Sequence, residues 1–169
     1  MPSYSRFSIN LALNAFNIMV NVELSEKEDR NLINDSRDVK KGDIFFFFFG
    51  QLCDGRDYID NAIAAGAELI LVQCENIKKH GKVKVKNKVT LIQFFELNKH
   101  LSRLASLYYQ QPHNKLTTVG ITGTNGKTTT SQIIAQLFES CGKSCAVVGT
   151  VGAGKLNNLQ PVINTTPGP

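Results

Sequence analysis

The apolar residues of this chain follow two patterns, short continuous runs and stripes that recur every three or four positions. Continuous runs predict buried strands, and they occupy residues 44–49, 69–72, 90–92, 117–121 and 144–148. Stripes predict helices that bury one face, and they occupy residues 7–20, 58–65, 94–108 and 133–141. Strands that alternate with helices predict an α/β fold.

Turn-forming residues separate these elements. Lys41-Gly42-Asp43 predicts a turn, Gly66 and Gly142 predict helix ends, and residues 51–57 predict a loop. Residues 23–31 are polar and predict a loop or a helix end. Residues 110–114 end the preceding helix and predict a linker, so we place a domain boundary between Gln111 and Pro112, giving domains 1–111 and 112–169.

Five consecutive phenylalanines follow Ile44. An exposed strand of this kind would be prone to aggregate. We therefore expect a strand whose two faces are both covered.

Lysines alternate with valines between residues 82 and 86, inside a basic segment at 78–88. A solvated edge strand or hairpin and a nucleic-acid-binding patch both fit this pattern. Lysines on an edge strand block pairing with other chains, and no aromatic residue lies between these lysines to stack on bases. The pattern favours the edge strand, and we expect no nucleic-acid partner.

A glycine-rich stretch at 117–130 predicts a strand, a phosphate-binding loop and the start of a helix. Gly123 and Gly126 would let backbone N–H groups approach an anion, and the helix would direct its positive end at the same place. Lys127 would reach the terminal phosphates of a bound nucleotide, and the Thr128 hydroxyl would ligate Mg²⁺. The loop departs from the strict Walker pattern because Ile121 stands at the place of its first glycine. A glycine- and threonine-rich turn that binds nothing is the alternative.

Composition places few further limits on function. The chain has 169 residues, of which 42% are hydrophobic and 20% charged, which is typical of a soluble globular protein. Its net charge of +5 suits anionic ligands, nucleotides and nucleic acids alike. No apolar run is long enough to span a membrane, and the N-terminus lacks the pattern of a signal peptide. We expect a cytoplasmic, monomeric protein.

The four cysteines and three histidines lack the spacing of a zinc site. We expect reduced and mostly buried thiols.

Several motifs in one order resemble those of the Mur ligases. The first set resembles their N-terminal domain and comprises Asp35-Ser36-Arg37, Lys41-Gly42-Asp43-Ile44-Phe45, Gly50, Asp54-Gly55-Arg56-Asp57-Tyr58-Ile59, Ala62-Ile63 and Gly66-Ala67. The second set resembles their ATP loop and comprises Gly123-Thr124-Asn125-Gly126-Lys127-Thr128-Thr129. Gly149-Thr150-Val151-Gly152 and Asn164-Thr165-Thr166-Pro167 are similar to the MurE group of this family.

The resemblance implies an ATP-dependent amide ligation in peptidoglycan precursor synthesis. The D-Glu carboxylate of UDP-N-acetylmuramoyl-L-alanyl-D-glutamate would be phosphorylated, and the amine of meso-diaminopimelate or L-lysine would displace the phosphate. Such chemistry requires a phosphate cradle, Mg²⁺ and positioning.

The resemblance also implies which residues bind. The UDP-linked substrate would contact Asn34, Ser36, Gln51, Leu52, Cys53, Asn164, Thr165 and Thr166. ATP would contact Gly123, Thr124, Asn125, Gly126, Lys127, Thr128 and Thr129. From local sequence alone, Ser36 reads as a turn hydroxyl and residues 164–166 as a polar loop.

Two departures from the family bear on activity. The phenylalanine run replaces smaller residues and bears on the packing of the first domain. The chain is also much shorter than family members, and only two strands are evident after the linker, so we expect an incomplete ATP-binding domain. The family's amino-acid-selecting domain has no counterpart here, and we expect the 169 residues alone to be inactive as a ligase. A MurF-type or other Mur ligase, and a non-catalytic remnant that only binds nucleotide, are the alternatives.

Overall fold

The computed structural model describes residues 9–25, 30–48 and 56–161. The chain divides into two compact units, one up to Leu116 and one from Thr117. The predicted boundary lies a few residues earlier, between Gln111 and Pro112, where the structure has a short 3₁₀ helix, Pro112–Lys115.

A mixed sheet forms the centre of the first unit. Its strands, as far as the chain is described, are β1 (Leu32–Ile33), β2 (Ile44–Phe47), β3 (Leu69–Cys74), β4 (Val83–Lys86) and β5 (Val89–Phe95). They lie in the order β1-β2-β3-β5-β4. The first four strands in that order are parallel, and β4 pairs antiparallel with β5 at one edge. The α/β prediction and the lysine-bearing edge hairpin are confirmed.

Helices cover both faces of this sheet. They are α1 (Ile9–Asn14), α2 (Arg56–Ala65) and α3 (Leu97–Tyr108). α1 and α3 contribute to one hydrophobic cluster and α2 to the other. None of the helices in the described ranges is long and apolar enough to cross a membrane.

The phenylalanine run divides between these two clusters. Ile44 and Phe46 belong to the cluster with α1 and α3, and Phe45 and Phe47 belong to the cluster with α2. Successive side chains of a strand point to opposite faces, so consecutive bulky residues fill two cores. The expectation that both faces are covered is confirmed for β2.

Three predictions for the first unit need correction. The helix expected over 7–20 is described only at Ile9–Asn14, because Asn17 takes a positive φ of 59° and the chain continues as an irregular segment. Phe94 lies in β5, not in the helix, since its buried ring completes the strand's core face. The loop expected at 51–57 gives way to α2 at Arg56, and residues 51–55 lie outside the described part.

The second unit contains α4 (Lys127–Ser140), followed by β6 (Val147–Gly149), β7 (Gly152–Lys155) and β8 (Asn158–Gln160). β6, β7 and β8 form an antiparallel sheet. The prediction of a parallel strand at 144–148 is therefore wrong, because the two-residue turn after Gly149 returns the chain alongside β6. No strand forms at 117–121 within the described chain, since that segment has no neighbouring strand to pair with.

The expected burial of the thiols is also wrong in part. Of the described cysteines, Cys74 is buried, Cys145 is half-buried and Cys141 is exposed. Cys141 and Cys145 lie in the loop between α4 and β6. Loops that connect secondary-structure elements usually run over the protein surface. All three are free thiols, and burial raises the pKa of Cys74.

Candidate functional site

The glycine-rich loop of the second unit leads directly into α4. Gly123 has a φ of 144° and Gly126 a φ of 78°, conformations that residues with a Cβ rarely adopt. Gly126 is the residue before the first helical position, Lys127. The two glycines therefore let the loop turn sharply into the amino end of a 14-residue helix.

The amino end of α4 offers hydrogen-bond donors to an anion. The N–H of Thr130 donates to the carbonyl of Gly126 at 2.9 Å and begins the helical pattern. The N–H groups before it have no carbonyl of their own helix to bind, and the helix dipole makes this end positive. A phosphate group matches both features.

Lys127 lies across this loop. Its Nζ donates to the carbonyls of Gly123, at 2.6 Å, and Thr124, at 3.2 Å. The ammonium group is thus held over the turn by backbone oxygens, on an exposed side chain that is free to change rotamer. It can exchange these carbonyls for phosphate oxygens without disturbing a core.

Ile121 stands where the Walker pattern has a glycine, and its φ is not positive. A side chain is therefore compatible with the backbone at that position, and the departure from the strict motif does not distort the loop.

The residues of the glycine-rich loop and the first turn of α4 fit a nucleoside triphosphate, but they do not make up a complete magnesium site. The loop supplies N–H donors and one ammonium group, which match phosphate oxygens. Thr128 carries a hydroxyl in the first turn of α4, where it could provide one oxygen ligand to Mg²⁺. Across the described residues, no group of three His, Cys, Asp or Glu side chains is placed to hold a metal.

The first unit presents its predicted residues where β1 ends. Asn34 and Ser36 follow the carboxyl end of β1, the edge where parallel α/β sheets bind ligands. Asn34 is exposed, whereas Ser36 is only 7% exposed. The other six residues predicted to contact the substrate lie outside the described part of the chain. They are Gln51, Leu52, Cys53, Asn164, Thr165 and Thr166.

An ion pair flanks Ser36 on both sides. The Asp35 carboxylate accepts hydrogen bonds from the backbone N–H of Arg37 at 3.0 Å and from its Nε at 2.9 Å. Arg37 also reaches the second carboxylate oxygen at 2.5 Å. These bonds from Arg37, the side-chain bond first, lower the pKa of Asp35 to about 2.

From the sequence, neither Asp35 nor Arg37 has a separate predicted role. An Asp side chain that accepts the backbone N–H two residues later is a recognised turn signal. Because the residue two positions after Asp35 is an arginine, the sequence could have suggested the ion pair between Asp35 and Arg37.

A cavity of about 300 Å³ opens near the carboxyl ends of β3 and β5. Its lining residues are Gln73, Cys74, Glu75, Asn76, Lys79 and Gln93. No residue named for substrate or ATP is among them, so this cavity does not identify the site that the sequence predicts.

Comparison with known proteins gives two family matches along the chain. Residues 30–109 match the model described as "Mur ligase family, catalytic domain". Residues 121–168 match the "Mur ligase middle domain".

Several curated relatives that match the chain share one name. UDP-N-acetylmuramoyl-L-alanyl-D-glutamate–2,6-diaminopimelate ligase of Vibrio cholerae is 48% identical over 132 residues, which cover 78% of this chain and 26% of that protein. The ligase of the same name from Haemophilus influenzae is 42% identical over 139 residues, which cover 82% of this chain and 28% of that protein. The chain thus spans little more than a quarter of the length of these relatives.

A solved structure agrees with these matches. The structure titled as a UDP-N-acetylmuramoyl-L-alanyl-D-glutamate–2,6-diaminopimelate ligase aligns with a TM-score of 0.55 and 27% identity. The alignment covers 85% of this chain and 28% of that one.

Proposed function

Because the chain belongs to the Mur ligase family, we propose that it serves an ATP-dependent ligase that joins a diamino acid to UDP-N-acetylmuramoyl-L-alanyl-D-glutamate. The single observation that carries this proposal is the succession of two domain matches, residues 30–109 and then 121–168, along one chain. The names of the curated relatives favour 2,6-diaminopimelate over L-lysine as the added amino acid.

The second unit would bind ATP in this reaction. The loop N–H groups and the amino end of α4 would hold phosphate oxygens, and Lys127 would move from the carbonyls of Gly123 and Thr124 to the terminal phosphates. Thr128 would provide a ligand to Mg²⁺. When bound, Mg-ATP supplies the phosphoryl group that activates the substrate carboxylate for attack by an amine.

The first unit would bind the uridine nucleotide at the edge of its sheet. Asn34 and Ser36 would contact it, together with Gln51, Leu52 and Cys53. The location of Asn34 and Ser36 beyond the carboxyl end of β1 supports this assignment.

Calorimetric titration with Mg-ATP tests the nucleotide part of the proposal. Lys127→Met should weaken binding by roughly tenfold or more, because a hydrogen bond to a charged group contributes about 1.5–3 kcal/mol. Lys143→Met removes an exposed lysine near the opposite end of the same helix and is the matched control. Equal affinities of the two variants would contradict the assignment of Lys127.

A second titration, with UDP-N-acetylmuramoyl-L-alanyl-D-glutamate, tests the substrate part. Saturable binding that UDP competes away is the expected result. Failure of the 169-residue chain to bind this molecule would contradict the role of the first unit.

A further inference from the structure

The positive charge of this chain is concentrated in the basic segment at residues 78–88. This segment contains six lysines and no acidic residue, whereas the net charge of the whole chain is +5. The rest of the chain is therefore close to neutral. All six side chains are exposed, namely those of Lys78, Lys79, Lys82, Lys84, Lys86 and Lys88. A positive surface of this density attracts an anionic partner.

The basic segment is fixed in place at both ends of the hairpin that contains it. Asn87 and Lys88 form the turn between β4 and β5, with the positive φ angles, 49° and 68°, that tight two-residue hairpin turns require. At the other end, the His80 ring accepts the N–H of Phe95 at 3.0 Å and donates to the carbonyl of Phe16 at 2.8 Å. The lysines of β4 therefore project from an ordered backbone.

β4 lies at the edge of the sheet. The strand order is β1-β2-β3-β5-β4, and within the described chain β4 pairs with β5 alone. A strand at an edge presents a row of N–H and C=O groups that can pair with a strand of another molecule. All four side chains of β4 are exposed, so no part of this strand is covered.

The two faces of β4 differ in chemistry. Lys84 borders a cavity of about 160 Å³ together with residues of α2 and β3, and Lys86 forms an ion pair with Asp60 of α2. Both lysines therefore project toward the face of the sheet that α2 covers. Successive side chains of a strand alternate between faces, so Val83 and Val85 project from the other face, where they are 43% and 70% exposed.

We propose that β4 is a docking edge for an extended segment of a partner protein in which acidic and apolar residues alternate. The backbone of that segment would pair with the free edge of β4. Its carboxylates would lie beside the lysines, and its apolar side chains would lie beside Val83 and Val85. Cross-strand pairs of opposite charge and pairs of apolar side chains both stabilise a sheet, and backbone bonds provide the affinity of such strand addition.

The same chemistry disfavours other occupants of this edge. An antiparallel second copy of β4 would bring lysines beside lysines, and like charges on neighbouring strands are destabilising. The phosphates of a nucleic acid could accept from the N–H groups of the edge but could not donate to its C=O groups, and the segment has no aromatic residue to stack on bases. The lysines thus exclude some strands and favour an acidic one.

An NMR titration of the 169-residue chain tests the docking edge. The probe is a ten-residue peptide of five Glu-Val repeats with blocked ends. We expect saturable binding, amide shifts concentrated in β4, and slower hydrogen exchange of the N–H groups on its free edge. A peptide of five glutamates followed by five valines has the same composition and should bind about tenfold more weakly, because its acidic residues do not alternate.

A charge-reversed variant tests the role of the lysines. Lys82→Glu combined with Lys84→Glu should weaken binding of the Glu-Val peptide by about tenfold or more, because attractive cross-strand pairs become repulsive. This variant leaves the ion pair of Lys86 intact. Lys115→Glu combined with Lys143→Glu is the matched control: it changes the net charge equally at exposed positions outside the hairpin and should leave the affinity unchanged.

A peptide with methylated backbone nitrogens separates strand addition from attraction between charges alone. It keeps the five carboxylates but cannot donate hydrogen bonds to β4, so it should bind about tenfold more weakly or not at all. Equal binding of the two peptides would overturn the docking edge, as would failure of the Glu-Val peptide to bind. Tighter binding of a ten-nucleotide thymidylate strand or of phosphatidylglycerol vesicles would overturn it in favour of a nucleic acid or a membrane.

Discussion

The ring of Tyr108 lies inside the first unit, at the last position of α3. It is 1% exposed, and its hydroxyl donates to the carbonyl of Arg30 at 3.0 Å. Burial raises the pKa of Tyr108 to about 12, although the positive charge of Arg30 opposes the shift. The neutral phenol is therefore the form that the fold stabilises.

This shift predicts a loss of stability at alkaline pH. The unfolded chain, with an ordinary tyrosine pKa of about 10, loses its proton before the folded chain does. The contribution of Tyr108 to the free energy of unfolding should thus be constant below about pH 10 and fall by about 1–2 kcal/mol as pH rises toward 12. Urea unfolding of wild type and Tyr108→Phe at successive pH values measures the difference in slope.

Tyr58→Phe is the control for that experiment, because Tyr58 is 40% exposed. The same alkaline slope in wild type and Tyr108→Phe would contradict the assignment.

Residue types alone could predict part of the candidate site. Gly123, Gly126 and Lys127 form a recognisable sequence, and the structure has the sharp turn into a helix that this sequence predicts. The burial of the Ser36 side chain, which is 7% exposed, was not predictable, because burial depends on what the rest of the chain packs around it. Local sequence would have placed that hydroxyl in a turn, bonded to its own backbone.

At the scale of elements, β2 links the two hydrophobic clusters of the first unit. Phe46 is fully buried on the face covered by α1 and α3, whereas the next residue on that side, Phe48, is half-buried beyond the strand end. Their rings meet edge to face, with centroids 5.4 Å apart. The two phenylalanines therefore allow one substitution to be compared at a buried and at a half-buried position of the same sheet face.

Phe46→Ala should lower the free energy of unfolding by about 3–5 kcal/mol, the usual cost of removing a buried phenylalanine. Phe48→Ala should cost about half of that or less, because solvent already reaches its ring. Chemical denaturation followed by circular dichroism measures both. Equal losses would mean that the two rings are buried to the same depth.

The end of α2 depends on Gly66. Its φ is 98°, and a Cβ there would lie 3.0 Å from the Cα of Lys41. Its carbonyl also accepts the N–H of Gly42 at 2.8 Å, which ties the helix end to the turn before β2. A side chain would therefore be strained and would push on backbone that is already bonded.

Gly66→Ala should destabilise the first unit by more than about 1 kcal/mol, the cost of a left-handed alanine alone. Gly81→Ala is the control: Gly81 also has a positive φ, of 73°, but its Cβ would meet the nearest atom only at 3.9 Å. Thermal unfolding of the two variants measures the difference. A larger loss for Gly81→Ala would contradict the proposed clash at Gly66.

At the scale of the whole molecule, the two units differ in how much core they contain. The first unit has buried clusters on both faces of its sheet. In the described residues of the second unit, the buried hydrophobic side chains are those of Ala135 and Val147. Several larger apolar side chains there are at least half exposed, namely those of Val119, Ile133, Leu137, Val148 and Val151.

A fragment of residues 1–116 should unfold cooperatively on its own, because buried hydrophobic clusters cover both faces of its sheet. A fragment of residues 117–169 should show no cooperative transition, since little apolar surface leaves water when it folds. Denaturant titration of the two fragments beside the whole chain makes the comparison. A sharp transition of the second fragment would contradict this account of its stability.

The sequence by itself determined most of the helices and strands of the first unit, its α/β class and the glycine-rich loop before α4. These features depend on local spacing, on the period of apolar residues and on backbone conformations that only glycine adopts easily. Tertiary structure decided that Phe94 belongs to β5, that β6 pairs antiparallel with β7, that residues 117–121 form no strand and that Ser36 is buried. Strand pairing and burial depend on which distant segments lie alongside, and an apolar run looks the same whichever partner covers it.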